Sequence, residues 1–340
     1  MNKFVISVNG EKDYHKKREK IIDNVVIDKN TVEEKLEGLE LLECIGHGSE
    51  SKVHKGQIKS SKGFISLKMI IKKKNEKKNL NEIIIGNKLK NKNIINIYGV
   101  KEIKKDEIDC ILMEYAKHGN IKDFQVNLLK KNYLSESIIC FLTFQILNGL
   151  KYCHVCKVAH FDIKPQNIVI DDYLTAKIID FSISLDYSKI KKEEIKLPFR
   201  GTNFFMAPEV LSTQTIKVKD LNKVDLFSLG VTLYFLAFGS YPFGFTHEDV
   251  KDYPKIYEKI MKGVKIENKD NYYSKHFIDF LTKLLEKNIN KRININQALN
   301  HYWVRGAEIL INEKEKIYNA GNFLSYLITD HIKAFDDYIQ

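Results

Sequence analysis

Arginine, cysteine and proline are all scarce in this sequence. Only four of its 55 basic residues are arginine, and its 340 residues include five cysteines and five prolines. A sparse, odd set of cysteines argues against a disulfide-stapled secreted scaffold and predicts reduced thiols in an intracellular compartment, the cytoplasm or the nucleus. Cys153 and Cys156 form a lone CxxC with no second pair, so packing at a helix end is favoured over a zinc site.

The formal net charge of +11 comes from lysine. Lysine, asparagine and isoleucine are abundant together, which is typical of an AT-rich coding sequence. Nucleic-acid readers rely on arginine for bidentate contacts, so the charge carries little weight as a sign of nucleic-acid binding. The runs HKKREK (15–20) and KKKNEKK (72–78) leave that function open as a minor alternative, which a salt-dependent shift with RNA or DNA would support.

Long hydrophobic runs are also absent. The most apolar stretch, residues 226–238, is too short to span a bilayer and is predicted to be a buried helix, so we expect no transmembrane segment. Nothing in the sequence fixes an oligomeric state.

The chain divides into a β-rich part and a helical part. Residues 1–38 are polar and are expected to form an extension with weak structure. Strand-like runs dominate residues 39–116, and apolar residues at helical spacing dominate residues 117–303. The pattern predicts an α+β fold with a small β-rich lobe, which holds one main helix, and a larger, mainly helical lobe. Residues 304–340 form a C-terminal helical extension, either docked on the large lobe or acting as a regulatory tail.

A glycine-rich segment lies near the start of the first lobe. Ile45 precedes Gly46 and Gly48, and Ser51 and Val53 complete the pattern G-x-G-x-x-S-x-V. Glycines allow a tight β-turn to lay backbone N–H groups over phosphates without an intervening Cβ. The motif is weak on its own, because it lacks a third glycine.

Lys68 and Glu82 are informative as a pair. Lys68 lies near the end of a strand-like run, and Glu82 lies at the start of a predicted helix. A lysine on that strand would point into a cleft, and a glutamate on the facing side of the helix can hold it toward the phosphates of a nucleotide.

Two further motifs supply carboxylates. The stretch HFDIKPQN places Asp162, Lys164 and Asn167 within six residues, and Asp180 follows in IIDFS. In order, spacing and residue type, residues 39–303 resemble the eukaryotic protein kinase family. The resemblance implies a bilobal protein kinase fold, ATP and Mg²⁺ as cofactors, and protein substrates with serine or threonine hydroxyls.

The resemblance implies a role for each motif residue. Asp162 corresponds to the aspartate that accepts the proton of the substrate hydroxyl or orients that hydroxyl, and Lys164 to the lysine that steadies the γ-phosphate. Asn167 and Asp180 correspond to the magnesium ligands, for which amide and carboxylate oxygens are suited. Lys68 corresponds to the lysine that binds the α- and β-phosphates. Because K-P-x-N is typical of serine/threonine kinases, the target hydroxyl is expected on serine or threonine.

The nucleotide base is expected to bind between the lobes. Met113 corresponds to the gatekeeper of the family, and the backbone of Glu114 to Ala116 corresponds to the hinge that binds adenine. The full set of expected nucleotide-binding residues is Ile45, Gly46, Gly48, Val53, Lys68, Glu82, Met113, Glu114 and Ala116.

Two features of the larger lobe support the resemblance. The segment GTNFFMAPE (201–209) resembles the family's substrate-binding loop and its A-P-E motif, which ends at Glu209. Arg292 lies where the family places the arginine that pairs with this glutamate. With four arginines in the whole chain, an arginine at that position is informative.

The sequence departs from the family in two places. Phe161 replaces the arginine of H-R-D, which in many kinases pairs with a phosphate on the activation segment, residues 180–209 here. Phenylalanine cannot pair with phosphate, so activity is expected not to depend on that modification, and Ser184 and Ser188 are expected to be dispensable. Ser182 replaces the glycine of D-F-G and restricts the backbone, but it removes no catalytic group. A pseudokinase that acts as an interaction module is the alternative.

Overall fold

The computed structural model describes residues 29–48, 51–71, 80–104, 108–128, 133–268, 272–317, 320–328 and 332–339. The charged runs at 15–20 and 72–78 lie outside these residues, so the minor prediction that rests on them is untested. The described chain forms a β-sheet lobe followed by a mainly helical lobe, which confirms the predicted bilobal α+β architecture.

The smaller lobe is a five-stranded antiparallel sheet with two helices beside it. Its strands are β1 (Leu39–His47), β2 (Ser51–Ile58), β3 (Phe64–Ile71), β4 (Ile97–Lys104) and β5 (Ile108–Glu114), in the spatial order β1-β2-β3-β5-β4. Helix α1 (Lys29–Lys35) precedes the sheet, and helix α2 (Leu80–Lys88) follows β3 in the chain.

Strand β3 occupies the centre of the sheet and is buried on both faces. Residues 65–70 are all buried, and Lys68 is the charged residue among them. Lys68 lies opposite Val53 of β2 and Ile111 of β5. The strand therefore carries an ammonium group into the interior of the lobe, where a charge needs a partner.

Helix α1 packs on the sheet through apolar side chains. Val32 of α1 and Leu36 just after it are buried in one cluster with Leu41 of β1 and Ile103 of β4. The carboxylate of Glu33 also accepts a hydrogen bond from the backbone N–H of Leu41, at 3.0 Å. The expectation of weak structure throughout the N-terminal extension is therefore wrong for α1, because this helix contributes to the core of the lobe.

Helices dominate the larger lobe. They are α3 (Ile121–Asp123), α4 (Glu136–Val155), α5 (Pro208–Leu211), α6 (Lys223–Phe238), α7 (Tyr253–Lys262), α8 (Lys275–Leu284), α9 (Ile295–Leu299), α10 (Tyr302–Arg305), α11 (Ala307–Lys316), α12 (Ala320–Ile328) and α13 (Lys333–Ile339). Helices α4 and α6 are apolar around most of their circumference, so both are largely buried. Together with Trp303 they contribute to one large hydrophobic core.

Two helical runs are long and apolar enough to span a bilayer by length and composition alone, Glu136–Val155 and Val218–Phe238. However, 72% and 78% of their most apolar stretches are buried within the fold, as is usual for core helices. Within the described part of the chain, these runs are therefore weak evidence for a membrane span.

Short two-stranded ladders arrange the loops of the larger lobe. The pairs are β6 (Val158–Ala159) with β9 (Leu185–Asp186), β7 (Ile168–Ile170) with β8 (Ala176–Ile178), and β10 (Glu194–Lys196) with β11 (Thr215–Lys217). The loop that carries Asp162 runs from β6 to β7 and ends in a 3-10 turn over Pro165–Asn167. The loop that carries Asp180 follows β8. The ladders therefore bring the two aspartate motifs side by side.

The C-terminal extension completes the core of the larger lobe. Phe323, Phe335 and Ile339 are buried in the same cluster as helix α4. Tyr302 and Tyr338 stack with ring centroids 4.5 Å apart, and each hydroxyl donates to the backbone carbonyl of the other residue. Of the two interpretations of this extension, these contacts support the docked helix.

Candidate active site

Lys68 lies between two carboxylates that come from different elements. Its Nζ is 2.8 and 2.7 Å from the two carboxylate oxygens of Glu82 on α2, and 3.1 Å from Oδ1 of Asp180. Lys68 and Glu82 are 8% and 3% exposed, so the pair is shielded from water. One ammonium group therefore joins the sheet, helix α2 and the loop after β8. The role of this group toward a nucleotide stays a prediction.

Electrostatics fix the charge state of this cluster. Burial alone would lower the pKa of Lys68, but the adjacent carboxylates outweigh burial and hold that pKa above its ordinary value. Burial raises the pKa of Glu82, which the charge of Lys68 offsets only in part. Burial would also raise the pKa of Asp180, but the charge of Lys68 outweighs it and keeps that pKa below its ordinary value. A cationic Lys68 and an anionic Asp180 are suited to bind phosphate and metal.

Strands β1 and β2 form a tight hairpin around the glycine-rich segment. Gly46 lies opposite Val53, and the backbone N–H of Gly48 donates to the carbonyl of Ser51 at 2.7 Å. A Cβ at Gly48 would lie 2.8 Å from the Ser51 hydroxyl, so a side chain there would displace that hydroxyl. Ile45, just before the glycines, is 41% exposed. The hairpin thus offers backbone and apolar groups of the kind that cover a nucleotide.

Strand β5 ends at the predicted gatekeeper and hinge. Met113 is largely buried and packs in an apolar cluster with Val169 from the larger lobe. The carboxylate of Glu114 lies 3.0 Å from Nζ of Lys177 in strand β8, which ties the hinge to that lobe. Ala116 follows in the link between the lobes. Contacts on both sides therefore fix the hinge, and adenine binding by its backbone stays a prediction.

Three side chains hold the carboxylate of Asp162. Thr202 donates its hydroxyl to Oδ1 at 2.6 Å, and Lys164 places Nζ 2.7 Å from Oδ2. Asn167 donates its amide nitrogen to Oδ2 at 2.8 Å. Lys164 also donates to the Thr202 hydroxyl at 2.7 Å, which closes a ring of contacts. The three residues that the sequence grouped together are therefore in direct contact, around a carboxylate that can accept a hydroxyl proton.

A buried aspartate on α6, Asp225, anchors this loop. Its carboxylate accepts the backbone N–H groups of His160 at 3.0 Å and Phe161 at 2.8 Å, and Nε2 of His154 lies 2.9 Å away. Phe161 has a left-handed backbone with φ of 69°, a conformation that is unfavourable for a residue with a side chain. The anchor therefore holds a strained loop in place. The ring of Phe161 is buried, as expected for a residue that packs instead of binding phosphate.

The loop before β7 and the loop after β8 are joined by direct contacts. The backbone N–H of Ile179 donates to the carbonyl of Asn167 at 3.0 Å, and Nε2 of His160 lies 2.9 Å from the carbonyl of Ile179. The ring of His160 also packs edge-on against Phe181, with ring centroids 4.9 Å apart. These contacts place Asp180 next to the first loop.

Ser182 does not need the backbone freedom of glycine in this conformation. Asp180, with φ of 65°, is among the described residues with a left-handed backbone, whereas Ser182 is not. The backbone N–H of Ser182 lies 3.4 Å from Oδ1 of Asp180. Serine is therefore compatible with the arrangement in which Asp180 meets Lys68.

Asn167 and Asp180 offer oxygen donors that are suited to magnesium. Asn167 uses its amide nitrogen on Asp162, which leaves the amide oxygen as its donor for a metal ion, and the Asp180 side chain is 33% exposed. No three His, Cys, Asp or Glu side chains form a metal cluster in the described ranges. Proteins commonly bind Mg²⁺ through one or two such residues, with substrate phosphates and water as the other ligands. The residues therefore fit Mg²⁺ that binds together with a nucleotide.

Arg292 and Glu209 form a buried, bidentate ion pair. The guanidinium nitrogens Nη1 and Nη2 lie 2.6 and 2.9 Å from the two carboxylate oxygens. The guanidinium also lies over the ring of Phe227, 4.9 Å from its centroid. Such a fork is both strong and geometrically specific. It ties the end of the activation segment to the helical core.

The sequence did not point to two polar residues near this site. Asn81 of α2 donates to three backbone carbonyls that lie 100 to 103 residues later in the chain. Lys177 pairs with Glu114 across the two lobes. Neither motif spacing nor periodicity marks such contacts, because they depend on how the lobes meet. The position of Asn81 directly before Glu82 was the one available signal.

Comparison with known proteins agrees with this geometry. The family model for the protein kinase domain matches residues 39–304. The serine/threonine-protein kinase dst2 of Dictyostelium discoideum is 32% identical over 286 residues, which cover 84% of this chain and 24% of the relative. CBL-interacting serine/threonine-protein kinase 12 of Arabidopsis thaliana is 29% identical, covering 78% and 52%. NUAK family SNF1-like kinase 1 of Homo sapiens is 31% identical, covering 78% and 38%. The chain thus spans only about a quarter to a half of the length of these relatives.

Proposed function

This chain belongs to the eukaryotic protein kinase family, and we propose that it is an active serine/threonine kinase that transfers the γ-phosphate of Mg-ATP to protein substrates. The observation that carries the proposal is the position of Lys68, which contacts Glu82 and Asp180 at the same time. Burying these charges costs free energy of desolvation, so phosphate binding explains the cluster better than a contribution to fold stability alone.

In the proposed reaction each polar group has one task. Lys68, held by Glu82, binds the α- and β-phosphates. Asn167 and Asp180 would hold Mg²⁺, which would supply neutralisation of the phosphate charge. Asp162 orients the substrate hydroxyl and accepts its proton while the oxygen forms a bond to the γ-phosphorus. The bond from the γ-phosphorus to the bridging oxygen breaks, and ADP leaves.

Lys164 and Thr202 support a serine or threonine target. Both contact the carboxylate of Asp162, so both lie beside the group that would receive the substrate hydroxyl. The γ-phosphate would be transferred next to Asp162. The ammonium of Lys164, which contacts Asp162, would then lie close enough to neutralise charge on that phosphate.

We also propose that activity does not require a phosphate on the activation segment. Phe161 is buried and provides no cation for such a phosphate. Two hydroxyl residues of the segment, Ser184 and Tyr187, are themselves only 2% and 6% exposed, and Tyr187 donates its hydroxyl to the carbonyl of His154 at 3.3 Å. Ser188 is exposed and is the hydroxyl on which this part of the proposal can be tested.

Two alternatives predict different behaviour. A pseudokinase would bind partners without phosphate transfer, and a nucleic-acid-binding protein would bind RNA or DNA in a strongly salt-dependent way. The proposal also includes an intracellular location, in the cytoplasm or the nucleus, which a fluorescent fusion in cells would test.

The proposal is tested by a reaction with γ-labelled ATP, Mg²⁺ and a degenerate peptide library, followed by phosphoamino-acid analysis. We expect phosphoserine and phosphothreonine with little phosphotyrosine. A product dominated by phosphotyrosine would overturn the substrate class, and the absence of product from the wild-type chain would favour the pseudokinase.

A further inference from the structure

Helix α2 reaches the activation segment through a side chain that the proposed reaction does not use. Asn81, one residue before Glu82, donates its amide nitrogen to the carbonyls of Phe181, Ser182 and Ser184, at 3.1, 3.0 and 2.9 Å. An amide nitrogen carries two hydrogens, so the three carbonyls share it. The residues directly after Asp180 therefore point their backbone carbonyls toward one donor on helix α2.

The remaining carbonyl of this turn meets a donor from the far end of the activation segment. Nη1 of Arg200 lies 2.9 Å from the carbonyl of Ile183 and 3.5 Å from that of Ser184. The guanidinium also lies 5.8 Å from the ring centroid of Phe161, within the range of a cation–π contact. Burial lowers the pKa of Arg200, but a guanidinium in a protein keeps its charge. The guanidinium of Arg200 therefore points inward, toward the carbonyl of Ile183 and the ring of Phe161.

Ser184 is the residue on which these contacts converge. Its carbonyl accepts from Asn81 and Arg200, and its hydroxyl donates to the carbonyl of His160 at 3.1 Å. The residue is 2% exposed, so water does not compete for these groups. One buried residue thus joins helix α2, both ends of the activation segment and the loop that carries Asp162.

We propose that Asn81 and Arg200 are positioning residues that act in place of a phosphate, an inference that rests on the proposed kinase activity. Asn81 holds helix α2 against the turn at residues 181–184, and Arg200 holds the same turn against the far end of the activation segment. Where the family has arginine at the position of Phe161, a phosphate on the segment supplies the acceptor. Here the acceptors are backbone carbonyls and the chain itself supplies both donors. These contacts need no covalent modification. Because Asn81 directly precedes Glu82, its contacts with the activation segment also hold Glu82 in its ion pair with Lys68.

The test compares Asn81→Asp and Arg200→Met with Asn87→Asp and Arg305→Met, which change exposed residues on the same helix and in the larger lobe. Aspartate has the size of asparagine, but an ionised carboxylate cannot donate a hydrogen bond. All proteins are the whole chain after phosphatase treatment. We expect kcat for phosphate transfer to fall about tenfold or more in the first two variants, with the peptide KM changed less than about threefold. The control variants should match the wild type.

Further variants separate positioning from a general loss of stability. Arg200→Lys and Asn81→Gln retain a donor, so each should recover part of the lost kcat. Because both donors reach the carbonyl of Ser184, the double variant N81D/R200M should lose less activity than the product of the two single losses. Multiplicative losses would contradict the shared contact.

Hydrogen–deuterium exchange gives a readout that does not depend on catalysis. In N81D and in R200M, the backbone amides of residues 180–186 should exchange faster than in the wild type. In N81D the amides of helix α2 should also exchange faster, and in both variants exchange in helix α8 should not change. Faster exchange in α8 as well would indicate general destabilisation and would overturn the inference, as would unchanged exchange and kcat in an active protein. If the wild type transfers no phosphate but exchange still rises locally, the proposed activity fails and the positioning role stands.

Discussion

Lys68 and Asp180 are in contact at 3.1 Å although they belong to different lobes. The same ammonium group is paired with Glu82, so the position of helix α2 determines where the charge lies. The groups that would bind phosphate and metal are thus already together in the unmodified chain. We therefore expect catalytic activity to depend on keeping the charge of Lys68 at the junction of the lobes.

Replacing Lys68 with methionine removes this charge but keeps an unbranched side chain. We expect phosphate transfer to fall at least about a hundredfold, because preorganised positive charge on the phosphates is lost. Steady-state kinetics provide the measurement, with Lys101→Met on an exposed position of strand β4 as the matched control. Undiminished transfer by the Lys68 variant would show that another cation binds the phosphates.

Phosphatase treatment of the wild-type chain should change the transfer rate by less than about tenfold, a barrier change of about 1.4 kcal/mol. Ser188→Ala should be silent for the same reason. For Ser184 the structure changes the expectation, because its buried hydroxyl donates to the backbone carbonyl of His160. We expect Ser184→Ala to lower the free energy of unfolding by about 0.5–1.5 kcal/mol. A hundredfold loss of rate that returns when Ser188 is rephosphorylated would contradict the proposed independence.

Much of the site could be predicted because its residues occur in short local motifs. Asp162, Lys164 and Asn167 lie within six residues, so a loop between two short strands brings them into contact. Lys68 and Glu82 are 14 residues apart, but strand and helix geometry direct both side chains inward. These local rules do not depend on how the two lobes meet.

The supporting contacts could not be predicted in the same way. Asn81 and Arg200 bind backbone carbonyls, which every residue has and which no sequence pattern marks. Their partners become neighbours only after the sheet, helix α2 and the activation segment have come together. Helix α1 could not be predicted either. It has one apolar residue, the buried Val32, and one residue cannot show a helical period.

Phe335→Ala should lower the free energy of unfolding by about 3–5 kcal/mol, because it leaves a cavity in the core of the larger lobe. Phe335 is fully buried and lies against Gly306. Urea denaturation measures the change, and Tyr173→Ala, at a side chain that is 67% exposed, serves as the control. A loss below about 1 kcal/mol would mean that the C-terminal extension is not part of this core.

Tyr187, which anchors the activation segment, should give the chain a distinct sensitivity to alkaline pH. Burial raises its pKa from 10.0 to about 12, so the contribution of the protonated phenol is complete below pH 10 and is lost as the pH rises toward 12. Over this window the wild type should lose more free energy of unfolding than Tyr187→Phe. Tyr133→Phe, at an exposed tyrosine, should follow the wild type. Parallel curves for the wild type and Tyr187→Phe would show that the hydroxyl is not held in the fold.

Labelled phosphate transfer by the wild-type chain and by Asp180→Asn tests the proposed activity most directly. Asparagine keeps the shape of aspartate but loses the negative charge that would bind Mg²⁺ and that pairs with Lys68. We predict Mg²⁺-dependent labelling of serine and threonine by the wild type, and a rate below about one hundredth of it for Asp180→Asn. The exposed Asp172→Asn, prepared in the same way, should match the wild type. Equal labelling by Asp180→Asn and the wild type would contradict the assignment, because the phosphate would then come from another site or a contaminating kinase.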